Sequence, residues 1–291
     1  MEGALDLSKA TGLHTKAVLA KFSVGTWSGR KFDDEATKSV AKAFGANNDC
    51  GRFNKLLIDH SEILALYRIG TRARRFHYTH TLPWEDEGAR LLPTKMHNDY
   101  VVGINKFSDE FWKAVDVFYE KYPNLVDARR QALGELWKAD DYPTIEQLKG
   151  RFMFRFSLAF LPDPGADIRL NLNEVEVEKI RENTLQSHLE MFKKGESDLW
   201  GRMQKVVNRI VDRLDDPDKI FKNSTFENID ELERLVSLLN LTENADIENT
   251  MRKIKDDLKE YSPEEIRTDD QVRKSVHKKA KDILSKIESF I

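Results

Sequence analysis

The sequence predicts an α+β protein, mainly helical: a small antiparallel sheet with packed helices, then a C-terminal helical bundle or coiled-coil region. Three observations carry this. Residues 151–162 (RFMFRFSLAFLP) put Phe152, Phe154, Phe156, Leu158 and Phe160 on one parity, which a strand stacks on a single face and a helix would scatter. From Asn173 onward the apolar residues recur at spacings of three, four and seven, as helical seams do. And 8 Pro and 14 Gly in 291 residues are few, which favours long helices over a loop-rich β fold. The boundary falls near Asn173, giving an α+β domain over 1–172 and a helical region over 173–291.

In chain order, residues 17–27 set Val18, Ala20, Phe22 and Val24 against Lys21, Ser23 and Gly25, the alternation of a half-buried strand. Ser28-Gly29 turns the chain. Residues 33–44 read as a helix with acids in the first turn, where the macrodipole favours them, and Gly45 stands at its stop. A second helix fits 52–69, through Leu56, Leu57, Ile63, Leu64 and Tyr67. Phe76, Tyr78, His80 and Leu82 then share a parity, which predicts a strand ended by Pro83, a residue with no ladder donor. Helices follow at 106–121, capped by Ser108, at 125–138 and at 144–150. The phenylalanine strand is expected to form a hairpin with a return over Ile168, Leu170 and Leu172. Asn173 with Glu176 makes a capping box for a long helix whose seam is Leu189, Phe192, Leu199, Met203, Val206 and Ile210, broken at Asp215-Asp216-Pro217. Further helices are predicted at 228–241 and 246–260. After Ser262-Pro263 comes a last helix, capped by Thr268 with Gln271.

Composition excludes several chemistries. A single cysteine, Cys50, rules out an internal disulfide, a cysteine zinc cage and a CxxC redox pair, and predicts a reducing, cytoplasmic setting. No apolar run approaches ~18 residues, so no membrane-spanning helix is expected. GxxxxGK[ST], GxGxxG and GxSxG are absent, which removes the usual phosphate-loop, dinucleotide and hydrolase-elbow pointers. His77 and His80, three apart on a strand, would point to opposite faces and do not share a metal. No catalytic residue, metal site or cofactor is assigned.

The residue types that do suggest a function are basic and aromatic. Arg68, Arg72, Arg74 and Arg75 lie within eight residues and are followed by Tyr78, while Arg30 and Lys31 stand beyond the Trp27 strand end. Guanidinium and ammonium groups neutralise phosphates, and an aromatic ring beside them can stack a base. The competing reading has the arginines as a solvated helix end and the aromatics as core. Charge is only weakly uneven along the chain: residues 1–100 hold 15 Lys+Arg against 12 Asp+Glu, and residues 171–291 hold 22 against 27.

The segments WSGRK (27–31), LPWEDEGARLLP (82–93), DYPT (141–144) and the 151–172 hairpin together resemble a family of uncharacterised proteins of bacteriophages and related bacterial elements. The resemblance covers roughly 15–215 and implies a phage or mobile-element source, acting in a host cytoplasm, but no assigned activity. The expectation is therefore a non-enzymatic phage accessory protein that binds nucleic acid, single-stranded DNA first, in replication or recombination. Its contacts would be Arg30, Lys31, Arg68, Arg72, Arg74, Arg75 and Tyr78. Two alternatives stand beside it: a protein-interaction adaptor or structural oligomer acting through the C-terminal helices, and a metal-dependent nuclease using Glu85, Asp86 and Glu87.

Overall fold

A computed structural model describes residues 12–84, 88–163, 173–216 and 219–291. The fold is mainly helical α+β, with a small antiparallel four-stranded sheet and a long C-terminal helical stretch. In order the chain forms α1 (Leu13–Lys16), β1 (Ala17–Gly25), β2 (Arg30–Phe32), α2 (Asp34–Ala43), β3 (Asn54–Leu56) and α3 (His60–Thr79). There follow β4 (Leu82–Pro83), β5 (Arg90–Pro93), α4 (His97–Leu133), α5 (Ile145–Lys149) and β6 (Met153–Phe160). The C-terminal stretch comprises α6 (Glu174–Asp215), α7 (Ser224–Leu239), α8 (Ala245–Leu258), α9 (Pro263–Thr268) and α10 (Asp270–Glu288). The sheet order is β4-β5-β1-β6, and β2 pairs with β3 as a separate ribbon. In the sheet Leu19 faces Leu91 and Ala20 faces Arg90, and Leu82 also faces Leu91 across β4 and β5.

Residue contacts group the chain into two compact units assembled from separate stretches. One holds residues 1–21, 78–99 and 157–291, and the other holds 22–77 and 100–156. The second carries 19 Lys+Arg against 15 Asp+Glu, a net +4. That leaves 28 against 35, a net −7, for the first, consistent with −3 for the whole chain.

The basic unit has an aromatic core. Trp27 meets Phe118 and Tyr122 edge-on at centroid distances of 6.2 and 5.9 Å, Phe118 meets Phe152 at 5.5 Å, and Phe111 meets Phe154 at 5.5 Å. Two of the phenylalanines expected on the strand's inner face therefore do enter a core. The face does not stay covered along its length, because Phe160 is 90% exposed. The expected return strand at 168–172 lies outside the described residues.

Of the stretch predicted as a strand at 76–82, residues 76–79 are instead the end of α3, and only Leu82 is in a strand, β4. Ile63, Leu66, Gly70, Ala73 and His77 are buried along one side of that helix at spacings of three and four. A period of two over a few residues coincided with a longer helical period, and the longer pattern won because it buries a whole face. Phe76 and Tyr78 therefore do not share a face: Phe76 stacks on Tyr100 at 5.9 Å while Tyr78 is half exposed. Gly103 on α4 allows this packing, since a Cβ there would overlap the Phe76 ring. The helices predicted at 106–121 and 125–138 are likewise one element, α4, which runs through Pro123.

In the acidic unit the apolar seams close on one another. Leu199, Met203, Val207, Ile210 and Leu214 of α6 are buried, as are Ile247, Met251 and Ile254 of α8 and Val276, Ala280, Ile283 and Ile287 of α10. α10 packs on both α6 and α8, and α8 packs on α7, which makes this a bundle. The buried residue is Val207 where the heptad reading chose Val206, because a straight helix drifts about 20° per heptad from a 3.5-residue repeat. The capping box expected at Asn173/Glu176 is present, Ser262 with Glu265 forms a second one at the start of α9, and Asp269, not Thr268, caps α10. No helix among the described residues is long and apolar enough to cross a membrane.

Candidate functional site

Helical geometry sorts the four arginines of α3. Arg68, Arg72 and Arg75, at i, i+4 and i+7, share the side opposite the buried Leu66–Ala73–His77 face, whereas Arg74 lies about 100° round the helix from Arg75, at the border of the buried face. All four are exposed. Arg72 is ion-paired with Glu110 of α4, and its guanidinium lies 5.4 Å from the Phe107 ring centroid. Arg68, Arg74 and Arg75 make no side-chain hydrogen bond or ion pair among the described residues. Glu85, Asp86 and Glu87, the acids of the metal-dependent nuclease alternative, lie outside the described residues.

Past the arginines, cations from elsewhere hold the end of α3. Arg202 on α6 donates to the carbonyls of Thr79, Tyr78 and Thr81 at 2.7, 2.9 and 2.8 Å, and it is ion-paired with Asp198 at 2.7 Å. One planar guanidinium thus satisfies three carbonyls at a helix C-terminus, where the macrodipole is negative. Arg90 donates to the Thr81 hydroxyl at 2.8 Å, and its guanidinium carbon sits 4.5 Å from the Tyr78 ring centroid. One face of Tyr78 is therefore already occupied by a cation. His77 is buried with Nδ1 2.7 Å from the Tyr100 hydroxyl, and burial drives the Tyr100 pKa up. His80 is buried as well. No cluster of three or more metal-binding side chains occurs among the described residues.

Arg30 and Lys31 sit elsewhere in the basic unit, on β2. The turn before them needs Gly29, which has φ +63° and stands so close to Ile58 that a Cβ would come within 2.9 Å of its Cγ1. Both cations line a polar cleft of about 480 Å³ together with Trp27, Asp140, Asp141, Tyr142, Gln147 and Arg151. Arg30, Lys31 and Arg151 are exposed and have no carboxylate partner among the described residues.

The cleft wall is rigid for reasons that begin with a buried lysine. The Lys55 side chain is 2% exposed and is ion-paired with Asp33 at 2.9 Å and with Asp141. It also donates to the Leu136 carbonyl at 2.9 Å. Burial disfavours the ammonium, but hydrogen bonds to Asp141 and Asp33 outweigh it and hold its pKa above the ordinary lysine value. The Asp33 carboxyl is held below its usual range by the Ala36 amide it accepts from as the α2 N-cap, and by Lys55. Tyr122 donates to the Pro143 carbonyl at 2.9 Å, and burial pushes its pKa up to about 12. The 140–143 segment is thus tied down from both ends of the wall.

Of the residues chosen from sequence, Arg68, Arg72 and Arg75 share one helix face, and Arg30 and Lys31 share a separate cleft. Tyr78 is engaged by Arg90. Sequence reading missed Arg151, Asp140 and the Lys55–Asp33–Asp141 triad, because residues so distant along the chain carry no common spacing. Among the segments singled out in the sequence, WSGRK and DYPT both contribute residues to this cleft. Comparison with protein-family models, with curated proteins and with solved structures finds no match to this chain.

Proposed function

We propose that this protein binds nucleic acid, single-stranded DNA first, without transforming it. The observation that carries this reading is the exposed arginine face of α3 within a unit of net charge +4. Three of its four guanidinium groups have no protein carboxylate partner among the described residues. Unpaired cations on a rigid helix are available for phosphates at no cost in broken ion pairs, and each phosphate neutralised releases counterions. Arg68, Arg72, Arg74 and Arg75 supply the main contacts, Tyr78, half exposed, follows them on the same helix, and Arg30 and Lys31 add a second point of phosphate contact. The −7 carried by the rest of the chain opposes indiscriminate adhesion to polyanions. The resemblance to uncharacterised phage proteins suggests replication or recombination in a host cytoplasm as the setting.

The test is an electrophoretic mobility or anisotropy titration of oligo-dT at low salt with full-length protein. Binding that weakens with salt, and whose log–log salt slope becomes shallower by roughly 0.7 for each single-strand phosphate contact removed in R68Q/R74Q/R75Q, supports the reading. Absence of binding to DNA and RNA at low salt refutes it. The adaptor reading loses its main driver, since the C-terminal seams that asked for a partner are buried against each other.

A further inference from the structure

We propose that the cleft lined by Trp27, Arg30, Lys31, Asp140, Tyr142 and Arg151 is a binding site for a phosphorylated ribose. This is the group shared by a free mononucleotide and the 5′-phosphorylated end of a polynucleotide. The choice of ligand class rests on the nucleic-acid reading, but the cleft is a different surface from the α3 arginines.

Its size is suitable: about 480 Å³ lies within the range that encloses small-molecule ligands. Charge narrows the choice. Arg30, Lys31 and Arg151 all line the cleft and none of them is ion-paired among the described residues, and two of the three are forked guanidiniums suited to bidentate phosphate contact. A site built for phosphate alone would not place acids beside these cations. Asp140 is exposed in the same cleft, with no hydrogen bond or ion pair among the described residues. A carboxylate accepts hydrogen bonds only, so it selects a ligand that carries hydroxyl donors as well as an anion. Asp141 plays another part, since it is engaged by Lys55, which anchors the wall from beneath. Tyr142, partly exposed, contributes apolar ring surface on which a base or sugar can lie, while Trp27, buried against Phe118 and Tyr122, backs the cleft. The wall is also preorganised, because the Lys55 bridge and the Tyr122–Pro143 hydrogen bond hold it without a ligand.

Isothermal titration of full-length protein with inorganic phosphate, ribose 5-phosphate and adenosine 5′-monophosphate tests this directly. Ribose 5-phosphate and the mononucleotide are expected to bind below about 1 mM, and roughly tenfold more weakly to K31Q or R151Q. The variant D140N should weaken ribose 5-phosphate and leave inorganic phosphate unchanged, while R68Q/R74Q/R75Q should leave both unchanged. These cleft residues are exposed, so the variants are expected to fold. Anisotropy with oligo-dT bearing a 5′-phosphate or a 5′-hydroxyl separates the two sources. A gain from the 5′-phosphate that vanishes in R151Q marks a strand end, and mononucleotide binding without that gain marks a free nucleotide. If neither ribose 5-phosphate nor the mononucleotide binds and the 5′-phosphate changes nothing, the cleft inference is wrong, whether or not oligo-dT still binds α3. Mononucleotide binding with no oligonucleotide binding would sustain the cleft and sink the arginine-face reading.

Discussion

Replacing Lys55 by methionine is the most informative single perturbation of the basic unit. Methionine retains much of the stem and removes the charge. The lost contacts are the ion pairs to Asp33 and Asp141 and the hydrogen bond to the Leu136 carbonyl. What remains is two carboxylates whose side chains are only 5% and 12% exposed, facing each other with no cation between them. Removing one partner of a buried pair costs about 3–5 kcal/mol, and two acids share this loss, so the upper part of that range is expected. The assay is denaturant unfolding followed by near-ultraviolet circular dichroism, where the Trp27 and Trp137 environments report on this unit. The pH dependence supplies a second reading. Asp33 has a lowered folded pKa, so its contribution is present above about 3.9, its unfolded value, and is lost as pH falls through the folded pKa. Lys55 has a raised folded pKa, so its contribution is full below about 10.4 and is lost as pH rises through the folded value. K55M should therefore lose the alkaline loss step and shift the acid limb to higher pH. A K55M/D33N/D141N variant, with no buried charge left, should recover part of the loss. If K55M unfolds within about 1 kcal/mol of the parent, the lysine does not anchor the cleft wall and the reasoning fails.

Other perturbations follow from the same contacts. R202A removes the charged donor shared by the Tyr78, Thr79 and Thr81 carbonyls, of which Thr81 keeps Arg90 at 3.2 Å, and should cost about 2–4 kcal/mol by denaturant unfolding. R202K should recover only part of this, because an ammonium lacks the planar fork. G103A drives a methyl into the Phe76 ring and should destabilise by about 1–3 kcal/mol, with F76L/G103A restoring some of it; a neutral G103A in thermal melts would contradict the packing. N173A removes the capping box of α6 and should cost about 1 kcal/mol, readable in the same melts. Arg72 is already ion-paired with Glu110, so R72Q should weaken oligo-dT binding less than R68Q at equal salt; a larger effect of R72Q would contradict the reading that unpaired guanidiniums carry the contacts.

Wherever one element's own residues suffice to bury a face, the sequence determined the outcome. The phenylalanine alternation of β6, the helical C-terminal stretch, the capping boxes at Asn173 and Ser262 and the exposed arginines are all local patterns that secondary structure converts directly into direction. The same reasoning failed at 76–79, where a short alternation gave way to a helix that buries His77 against Tyr100, because only the contact between two helices decides which period is used. Tertiary structure alone decided three further things. It gathered Arg30, Lys31, Asp140 and Arg151 into one cleft, and it trapped Lys55 between Asp33 and Asp141. It also divided a chain of net charge −3 into a unit of +4 and a remainder of −7. Charge along the chain is nearly balanced; charge in space is not, because the basic unit draws its residues from two separated stretches. Coulomb energy and burial depend on distance, and distance is set by packing, not by position in the sequence.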